Sequence, residues 1–227
     1  RPSWPAARSA PDRPVAVTES EVRISRSLAP EHRATAIDIF QDAFGSKLRQ
    51  ALPSAEQRQA FVDATLVADR CVTASDGETV LGLAGLQAAA GRYQGGVLDG
   101  DTLGLGEMRR LFGLTGMIRA AVVLGFIDHK AEPGELYIDF LTVSSAARGR
   151  GIGTKLLDEV AAIGHEDGFR WVRLEVIDTN PRAQALYERE GYTVIKEQKL
   201  GFVSRFVGFD AAYTMELPLT PPPAVED

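Results

Sequence analysis

Residues 148–153, with the sequence RGRGIG, have the residue types that bind an anion through the backbone. The glycines at 149, 151 and 153 leave no side chains where a predicted strand passes into a predicted helix, so backbone N–H groups can surround a negative charge. The helix N-terminus adds the positive end of its dipole, and Arg148 and Arg150 add mobile positive charge. The segment therefore predicts a phosphate or pyrophosphate site. The alternative is a tight turn whose glycines only relieve packing.

The glycine spacing argues against two other phosphate-binding loops. A dinucleotide-binding loop has the pattern Gly-x-Gly-x-x-Gly, with an acidic residue about 20 residues further along. The glycines here stand at every second position instead. A Walker-type loop is excluded because no Gly-Lys-Ser/Thr follows.

Two segments resemble the sequence signatures of the GNAT superfamily of acyl-CoA N-acetyltransferases. The pattern Arg-x-x-Gly-x-Gly at 148–153 follows a predicted strand that ends in Phe-Leu-Thr-Val, and it is similar to the acyl-CoA loop of that family. Residues 180–192, NPRAQALYEREGY, resemble its second signature. The resemblance covers residues 135–200 well and the earlier elements only by their order. It implies an α/β fold of the α+β type, with a central mixed, mostly antiparallel sheet flanked by helices.

The resemblance also implies roles for individual residues. The backbone at the end of the strand would pair with the pantetheine arm of the coenzyme through Leu141, Thr142 and Val143. Amides of the loop and of the helix start would hold the pyrophosphate, from Arg148, Gly149, Arg150, Gly151, Ile152, Gly153 and Thr154. Asn180 would lie near the pantetheine. Tyr187 would direct its hydroxyl at the coenzyme sulfur and protonate the departing thiolate.

Tyr187 is the candidate general acid. In a helix it shares a stripe with Ala183 and Leu186, and a tyrosine on such a stripe is usually a core residue with its hydroxyl at the surface. Departure of a thiolate needs a nearby proton donor, so an acyl-transfer reaction favours a catalytic Tyr187 over a purely structural one.

Asp139 is the candidate base, and Glu135 is the weaker candidate. An attacking ammonium must lose a proton before its nitrogen can reach the thioester carbon. Asp139 stands mid-strand among apolar residues, where burial would raise its pKa and suit base chemistry, directly or through a water. Strand alternation predicts that it shares a face with Glu135, Tyr137 and Leu141. The alternative is a carboxylate satisfied by the backbone or by an arginine.

The elements that must position these residues follow the order of an α/β core. From residue 135 onward, the pattern predicts a strand over 135–143, a helix over 154–167, a strand over 171–177, a helix over 181–190 and strands over 192–200 and 211–217. Earlier residues predict a strand over 22–28, helices opening near Pro30 and Pro53, and a hairpin with an Asp-Gly turn. The strands over 135–143 and 171–177 are apolar on both faces, which is typical of central strands.

The chain is predicted to hold one N-acetyltransferase domain, residues 21–218. Residues 1–20 predict an N-terminal arm, and residues 219–227 predict a C-terminal tail. Residues 91–134 predict a helical insertion before the coenzyme-binding strand, with its helix over 107–128. This insertion is long for a connection between neighbouring strands, and we expect it to cover the acceptor site. A helix packed permanently on the sheet, or against a second subunit, is the alternative.

The composition narrows the class of protein. With 227 residues and a formal net charge of −6, the chain is a poor candidate for binding nucleic acid and suits an amine substrate slightly better. Three scattered histidines and the single Cys71 offer no zinc-ligand cluster and no intrachain disulfide, so we expect no metal and a reducing compartment. The most apolar stretch, residues 111–127, is short for a bilayer span and carries Arg119 near its middle. We therefore expect a cytoplasmic protein without a membrane role.

Together these features predict an acetyl-CoA-dependent N-acetyltransferase. The acetyl group would pass to a primary amine by direct attack in a ternary complex, without a covalent intermediate. The acceptor would be a small-molecule or protein amine, and a homodimer is left open. Two alternatives remain: a non-catalytic module that senses acyl-CoA and acts through a protein partner, and a nucleotide-dependent enzyme that uses the same loop for another phosphate ligand.

Overall fold

The computed structural model describes residues 21–51, 54–95, 106, 129–201 and 204–219, in which seven strands form one sheet. The strands are β1 (Arg23–Ser25), β2 (Cys71–Ser75), β3 (Val80–Ala88), β4 (Glu135–Val143), β5 (Trp171–Ile177), β6 (Thr193–Lys199) and β7 (Ala211–Pro218). Their order across the sheet is β1-β2-β3-β4-β5-β7-β6. Only the β4–β5 pair is parallel, and the other neighbouring pairs are antiparallel. This confirms the mixed, mostly antiparallel sheet expected from the sequence.

The helices in the described part of the chain lie on both faces of this sheet. They are α1 (Arg33–Ala51), α2 (Ala55–Thr65), α3 (Ile152–Glu166), α4 (Pro181–Arg189) and the short α5 (Ser204–Val207). Helix α3 buries Leu156, Val160 and Ile163 in one cluster with Leu136 and Leu174 of the central strands. Its apolar residues recur at helical spacing, so one side of α3 fits the sheet while the other faces water.

Helices α1 and α2 cover the opposite face, over the first half of the sheet. Ile37 and Phe40 of α1 and Val62 of α2 pack with Leu83 and Phe140 in a second cluster. The rings of Phe40 and Phe140 meet edge to face, with centroids 4.9 Å apart. Phe140 therefore ties the middle of β4 to α1, whereas the next residue, Leu141, packs towards α3.

The ends of α4 follow from its sequence. The side-chain oxygen of Asn180 accepts a hydrogen bond from the Ala183 amide at 3.3 Å, which caps the helix. Pro181 stands in the first turn, where a missing N–H removes no helical hydrogen bond. Beyond the last turn, Gly191 has a φ of 89°, the left-handed conformation that commonly ends a helix. The second signature thus forms a short helix with defined ends.

The first strand is shorter than predicted. It ends at Ser25 because the chain leaves the sheet edge at Arg26. The Arg26 side chain binds Glu159 of α3 at 2.6 Å and also pairs with Glu166, while its carbonyl accepts a hydrogen bond from Arg92 at 2.7 Å. These contacts draw residue 26 towards the α3 face.

A β-bulge interrupts β4 at Asp139. Gly85 of β3 pairs with Phe140, but the next residue, Leu86, pairs with Ile138, so Asp139 is the extra residue. The bulge changes which residues share a face: Phe140 packs towards α1, and Leu141 packs towards α3. The expectation that Asp139 shares a face with Leu141 is therefore wrong, because simple alternation fails across an inserted residue.

The ladder between β4 and β5 stops halfway. Their residues pair from Glu135 and Trp171 to Ile138 and Leu174, and no pair follows within the described residues. Strand β5 continues to pair with β7 as far as Ile177. The part of β4 beyond the bulge keeps β3 on one side and leaves its other edge unpaired in the described structure. The two central strands thus open a gap that begins at Asp139.

The predicted N-terminal arm, the helix over 107–128 and the residues of the predicted tail after Leu219 lie outside the described residues. Within the described residues no helix is long and apolar enough to cross a membrane. Within the same residues no group of three or more His, Cys, Asp or Glu side chains could hold a metal ion.

Candidate active site

The glycine loop has the geometry of a backbone anion site. Gly149 and Gly151 have φ values of 79° and 73°, a conformation that side chains rarely adopt. Both residues are exposed, and a Cβ at either position would meet no atom within 4 Å. Gly151 is the N-cap residue of α3, and the first helical hydrogen bond runs from the Lys155 amide to its carbonyl at 3.1 Å. The first amides of α3 are therefore left without helical acceptors and can bind an anion.

The loop is held against the end of the sheet. The Ser144 amide donates to the Leu81 carbonyl of β3 at 2.8 Å, and the Ala147 amide donates to the Ser144 carbonyl at 2.9 Å. Ala147 is buried. The Arg148 side chain donates to the carbonyl of Val143 at 3.3 Å. The exposed residues 148–151 remain open to a ligand.

Gly153 has a role that the sequence did not reveal. A Cβ at this position would lie 2.9 Å from Cδ2 of Leu186, so the glycine allows α3 and α4 to pack closely. Gly82 of β3 has a similar role, because a Cβ there would lie 2.9 Å from the Thr142 carbonyl oxygen and 3.1 Å from the Ile152 side chain. These glycines bring the start of α3 against β3, β4 and α4.

The last residues of β4 present a free backbone edge next to this loop. Thr142 pairs with Leu83 of β3 and is buried, whereas Leu141 and Val143 are half-buried. On the β5 side these residues have no partner strand in the described structure. An extended amide-containing chain can pair with such an edge as an added strand.

Tyr187 lies in the cluster between α3 and the sheet. Its side chain is buried, and its ring centroid is 6.0 Å from that of Tyr192. Burial raises the pKa of Tyr187 to about 12, so the phenol stays protonated at neutral pH. The stripe predicted for Tyr187 is confirmed, since Ala183 and Leu186 pack against the same cluster. Asn180 is exposed at the start of the same helix, where its oxygen is used as the cap.

The two candidate bases differ in environment. Asp139 is half-buried at the bulge, at the beginning of the gap between β4 and β5. The charge of Asp139 affects Cys71 on the α1 face. Burial is the main cause that raises the pKa of Cys71 to about 12, and the negative charge of Asp139 raises it further. Burial is also the main cause that raises the pKa of Tyr137. The negative charges of Glu175, Asp139 and Glu135 raise it further.

Glu135 is fully buried and bound by three groups. Its carboxylate accepts hydrogen bonds from the Glu132 amide at 2.6 Å and from His129 Nε2 at 3.2 Å, and Arg173 lies 3.6 Å away. Burial opposes ionisation, but these donors and the positive charge outweigh it and lower the pKa of Glu135. A carboxylate bound in this way is a weak proton acceptor. The geometry suits an anchor for the start of β4 better than a base.

The structure adds two residues that the sequence did not single out. The ring of Tyr137 is buried and stacks on His129, with centroids 3.7 Å apart. Glu175 is the single exposed residue of β5. The strand was predicted to be apolar on both faces, but Arg173 and Glu175 alternate with the buried Val172 and Leu174. This alternation of polar and apolar residues in the sequence indicated that β5 has one polar face.

Comparisons with known proteins identify the same region. The model of the Acetyltransferase (GNAT) family matches residues 34–192. N-alpha-acetyltransferase 50 of Danio rerio is 33% identical over 126 residues, which cover 54% of this chain and 74% of that protein. Thialysine N-epsilon-acetyltransferase of Bos taurus is 34% identical over 73 residues, 32% of this chain, and the match spans only 43% of that relative's length.

A solved structure shares the fold. The ribosomal-protein-S18-alanine N-acetyltransferase from Escherichia coli aligns with a TM-score of 0.53 over 91% of this chain and 99% of that protein, at 17% sequence identity. At this identity the likeness shows the fold alone. The family model covers more than half of the chain and includes the loop, the divided β4 and the whole second signature. The chain therefore belongs to the acetyltransferase (GNAT) family.

Proposed function

We propose that this chain transfers the acetyl group of acetyl-CoA to a primary amine by direct attack in a ternary complex. The observation that carries the proposal is the unpaired edge of β4, which runs from the gap at Asp139 to the anion site at 148–151. A coenzyme with a pyrophosphate at one end and amide groups along its arm fits both features. The names of the two sequence relatives, which act on an ε-amine and an α-amine, support an amine acceptor.

In this proposal the backbone binds the coenzyme. Amides of Gly149, Gly151 and the first turn of α3 hold the pyrophosphate, and Arg148 and Arg150 balance its charge. The pantetheine amides pair with residues 141–143, which places the thioester near the bulge. In this proposal Asn180, whose side-chain oxygen caps α4, lies near the pantetheine and offers it the side-chain N–H₂ group.

The amine nitrogen then attacks the thioester carbon from the face of the sheet that carries Tyr137 and Glu175. Backbone N–H groups near the gap polarise the carbonyl oxygen as negative charge develops on it. The nitrogen of the tetrahedral intermediate releases its surplus proton to water, and collapse then breaks the carbon–sulfur bond and leaves an amide and a thiolate. Because both reactants are bound together, most of the rate gain comes from proximity and orientation.

Tyr187 supplies the proton to the departing sulfur. A phenol with a pKa of about 12 is a weaker acid than an ordinary thiol, whose pKa is about 8.5. The same apolar surroundings destabilise the thiolate, so its pKa rises as well and the two values approach each other. Tyr187 enters from the α3 face, opposite to the attacking amine, and the two proton transfers do not compete for space.

Asp139 removes a proton from the attacking ammonium, directly or through a water. Because the proposed thioester position is near the bulge, Asp139 is preferred as the base to Glu135, which is held at the other end of the β4–β5 ladder. Asp139 is half-buried, and in this proposal the acceptor reaches it from the gap.

The test is a screen for acetyl-CoA-dependent release of free CoA thiol with amines, amino acids, peptides and aminoglycosides as acceptors. Binding of CoA is measured in parallel as a rise in melting temperature, because a ligand that binds only the folded state stabilises it. We expect both signals. A clear rise in melting temperature without thiol release from any acceptor class would favour a non-catalytic acyl-CoA sensor, and absence of both would contradict the assignment of the loop.

A further inference from the structure

Glu175 stands at the opening of the gap between the two central strands. Ile138 and Leu174 form the last pair of the β4–β5 ladder, so Asp139 and Glu175 are the first residues beyond it on either side. A central strand with covered neighbours has little reason to expose a glutamate. Glu175 is nevertheless the exposed residue of β5, while Leu174 and Val176 on either side are buried.

The face on which Glu175 lies follows from the register. Val172, Leu174 and Val176 pack towards α3, so Arg173 and Glu175 point to the opposite face. Tyr137 pairs with Arg173 across the ladder and therefore shares this face. Glu175 thus borders the side of the gap from which the acceptor approaches.

The charge on this face is unbalanced. Arg173 is already bound by Glu216 at 2.7 Å and Glu132 at 2.9 Å, with Glu135 at 3.6 Å. One guanidinium thus serves three carboxylates and has little positive charge to offer to Glu175. Across the sheet, Glu175 pairs with Thr214 of β7, and Thr214 pairs with Lys196 of β6. The positive charge of Lys196 is therefore two strands away from Glu175. Among the described residues of this row, Glu175 has Thr214 and no cation on the neighbouring strand β7, so its negative charge attracts a cation to the opening and repels a carboxylate.

We propose that Glu175 is a specificity-determining residue that binds a second positive charge on the acceptor, and that the preferred acceptors are amines carrying a further ammonium group, such as diamines. The proposal rests on the proposed acetyl transfer and defines its substrate class. The reacting amine lies at the thioester beside Asp139, and the second ammonium lies against Glu175. An acceptor with a carboxylate in that place meets like charge and is disfavoured.

The experiment compares three acceptors with similar spacers: cadaverine, which ends in an ammonium group, pentylamine, which ends in a methyl group, and ε-aminocaproate, which ends in a carboxylate. For the unaltered protein we expect kcat/KM to fall in that order. Glu175→Gln removes the charge and keeps the shape, and it should lower kcat/KM for cadaverine by about tenfold, mainly through KM, while changing the value for pentylamine by less than about threefold. Glu175→Lys should reverse the preference between cadaverine and ε-aminocaproate.

Asp158→Asn is the matched control, because Asp158 is an exposed carboxylate of α3 on the other side of the sheet. It should leave all three ratios unchanged. Equal losses for cadaverine and pentylamine in Glu175→Gln would overturn the proposal, since that result indicates a role in the chemical step or in folding. Equal use of the three acceptors by the unaltered protein would also overturn it. Absence of transfer to every acceptor, with CoA still bound, would instead contradict the proposed function.

Discussion

Replacing the buried Glu135 with glutamine tests whether this carboxylate anchors β4. Glu135→Gln keeps the shape of the side chain and one hydrogen-bond acceptor for the Glu132 amide, but it removes the charge that faces His129 and Arg173. A hydrogen bond to a charged group contributes about 1.5–3 kcal/mol, and loss of one member of a buried pair costs about 3–5 kcal/mol. Because Arg173 keeps two other carboxylates, we expect a loss of about 2–4 kcal/mol, or roughly 5–15 °C in melting temperature for a chain of this length.

The pH dependence gives the sign of this effect. The pKa of Glu135 is lower in the folded protein than the ordinary value of 4.5, so its ionised form stabilises the fold above that value. This contribution is lost as the pH falls through the lower folded-state pKa. The stability difference between the unaltered protein and Glu135→Gln should therefore be largest near pH 7 and shrink below about pH 4.5.

Urea unfolding at a series of pH values measures this difference. The control is Glu132→Gln, which changes an exposed partner of the same arginine and should cost no more than about 1 kcal/mol. If Glu135→Gln is as stable as the unaltered protein at pH 7, or if the difference persists unchanged at low pH, the anchoring role is refuted. A large fall in turnover without a fall in stability would revive Glu135 as the base.

Three further predictions concern the proposed coenzyme and proton transfers. Gly151→Asp places a side chain and a negative charge at the N-cap of α3, so the rise in melting temperature with CoA should disappear, and wild-type affinity in this variant would contradict the loop assignment. Tyr187→Phe keeps the buried ring and removes the proton donor, so kcat should fall on the order of 10²-fold while the affinity for CoA changes little. If kcat is unaltered under conditions in which the chemical step is rate-limiting, another group protonates the thiolate. Asp139→Asn should lower the rate most at neutral pH and remove the acidic limb of the pH–rate profile, whereas a merely structural Asp139 would lower stability and leave that limb in place.

The central elements of the fold could be predicted from the sequence because each carries its own signal. The glycines at 149 and 151, the Asn180-Pro181 helix start and Gly191 set local conformation without help from distant residues. The strands β4 and β5 were found within a residue of their observed limits. Backbone conformations set by such residues depend little on the tertiary structure around them.

The remaining features depend on contacts between distant residues. A bulge at Asp139 is set by the register with β3, and no nearby glycine or proline marks it. Gly153 was assigned to the coenzyme loop alone, because its contact with Leu186 is visible only when α3 and α4 are packed. Glu135 was weighed as a base because its partners His129 and Arg173 come together only in the fold. The predicted acceptor role of residues 91–134 stays a prediction, since most of that segment lies outside the described residues.

The bulge at Asp139 divides β4 into two short segments joined end to end. In one segment the odd-numbered residues lie on a given face of the sheet, and in the other the even-numbered residues do. Before it, odd-numbered residues such as Tyr137 lie on the α1 side of the sheet. After it, the even-numbered Phe140 lies on that side and packs against α1. Substitutions in the first half can therefore alter the proposed acceptor surface while the backbone of residues 141–143 keeps its place. Deleting Asp139 would remove this phase shift and turn residues 135–138 over. A single inserted residue in this way separates the surface proposed for the acceptor at one end of β4 from the backbone edge proposed for the coenzyme at the other.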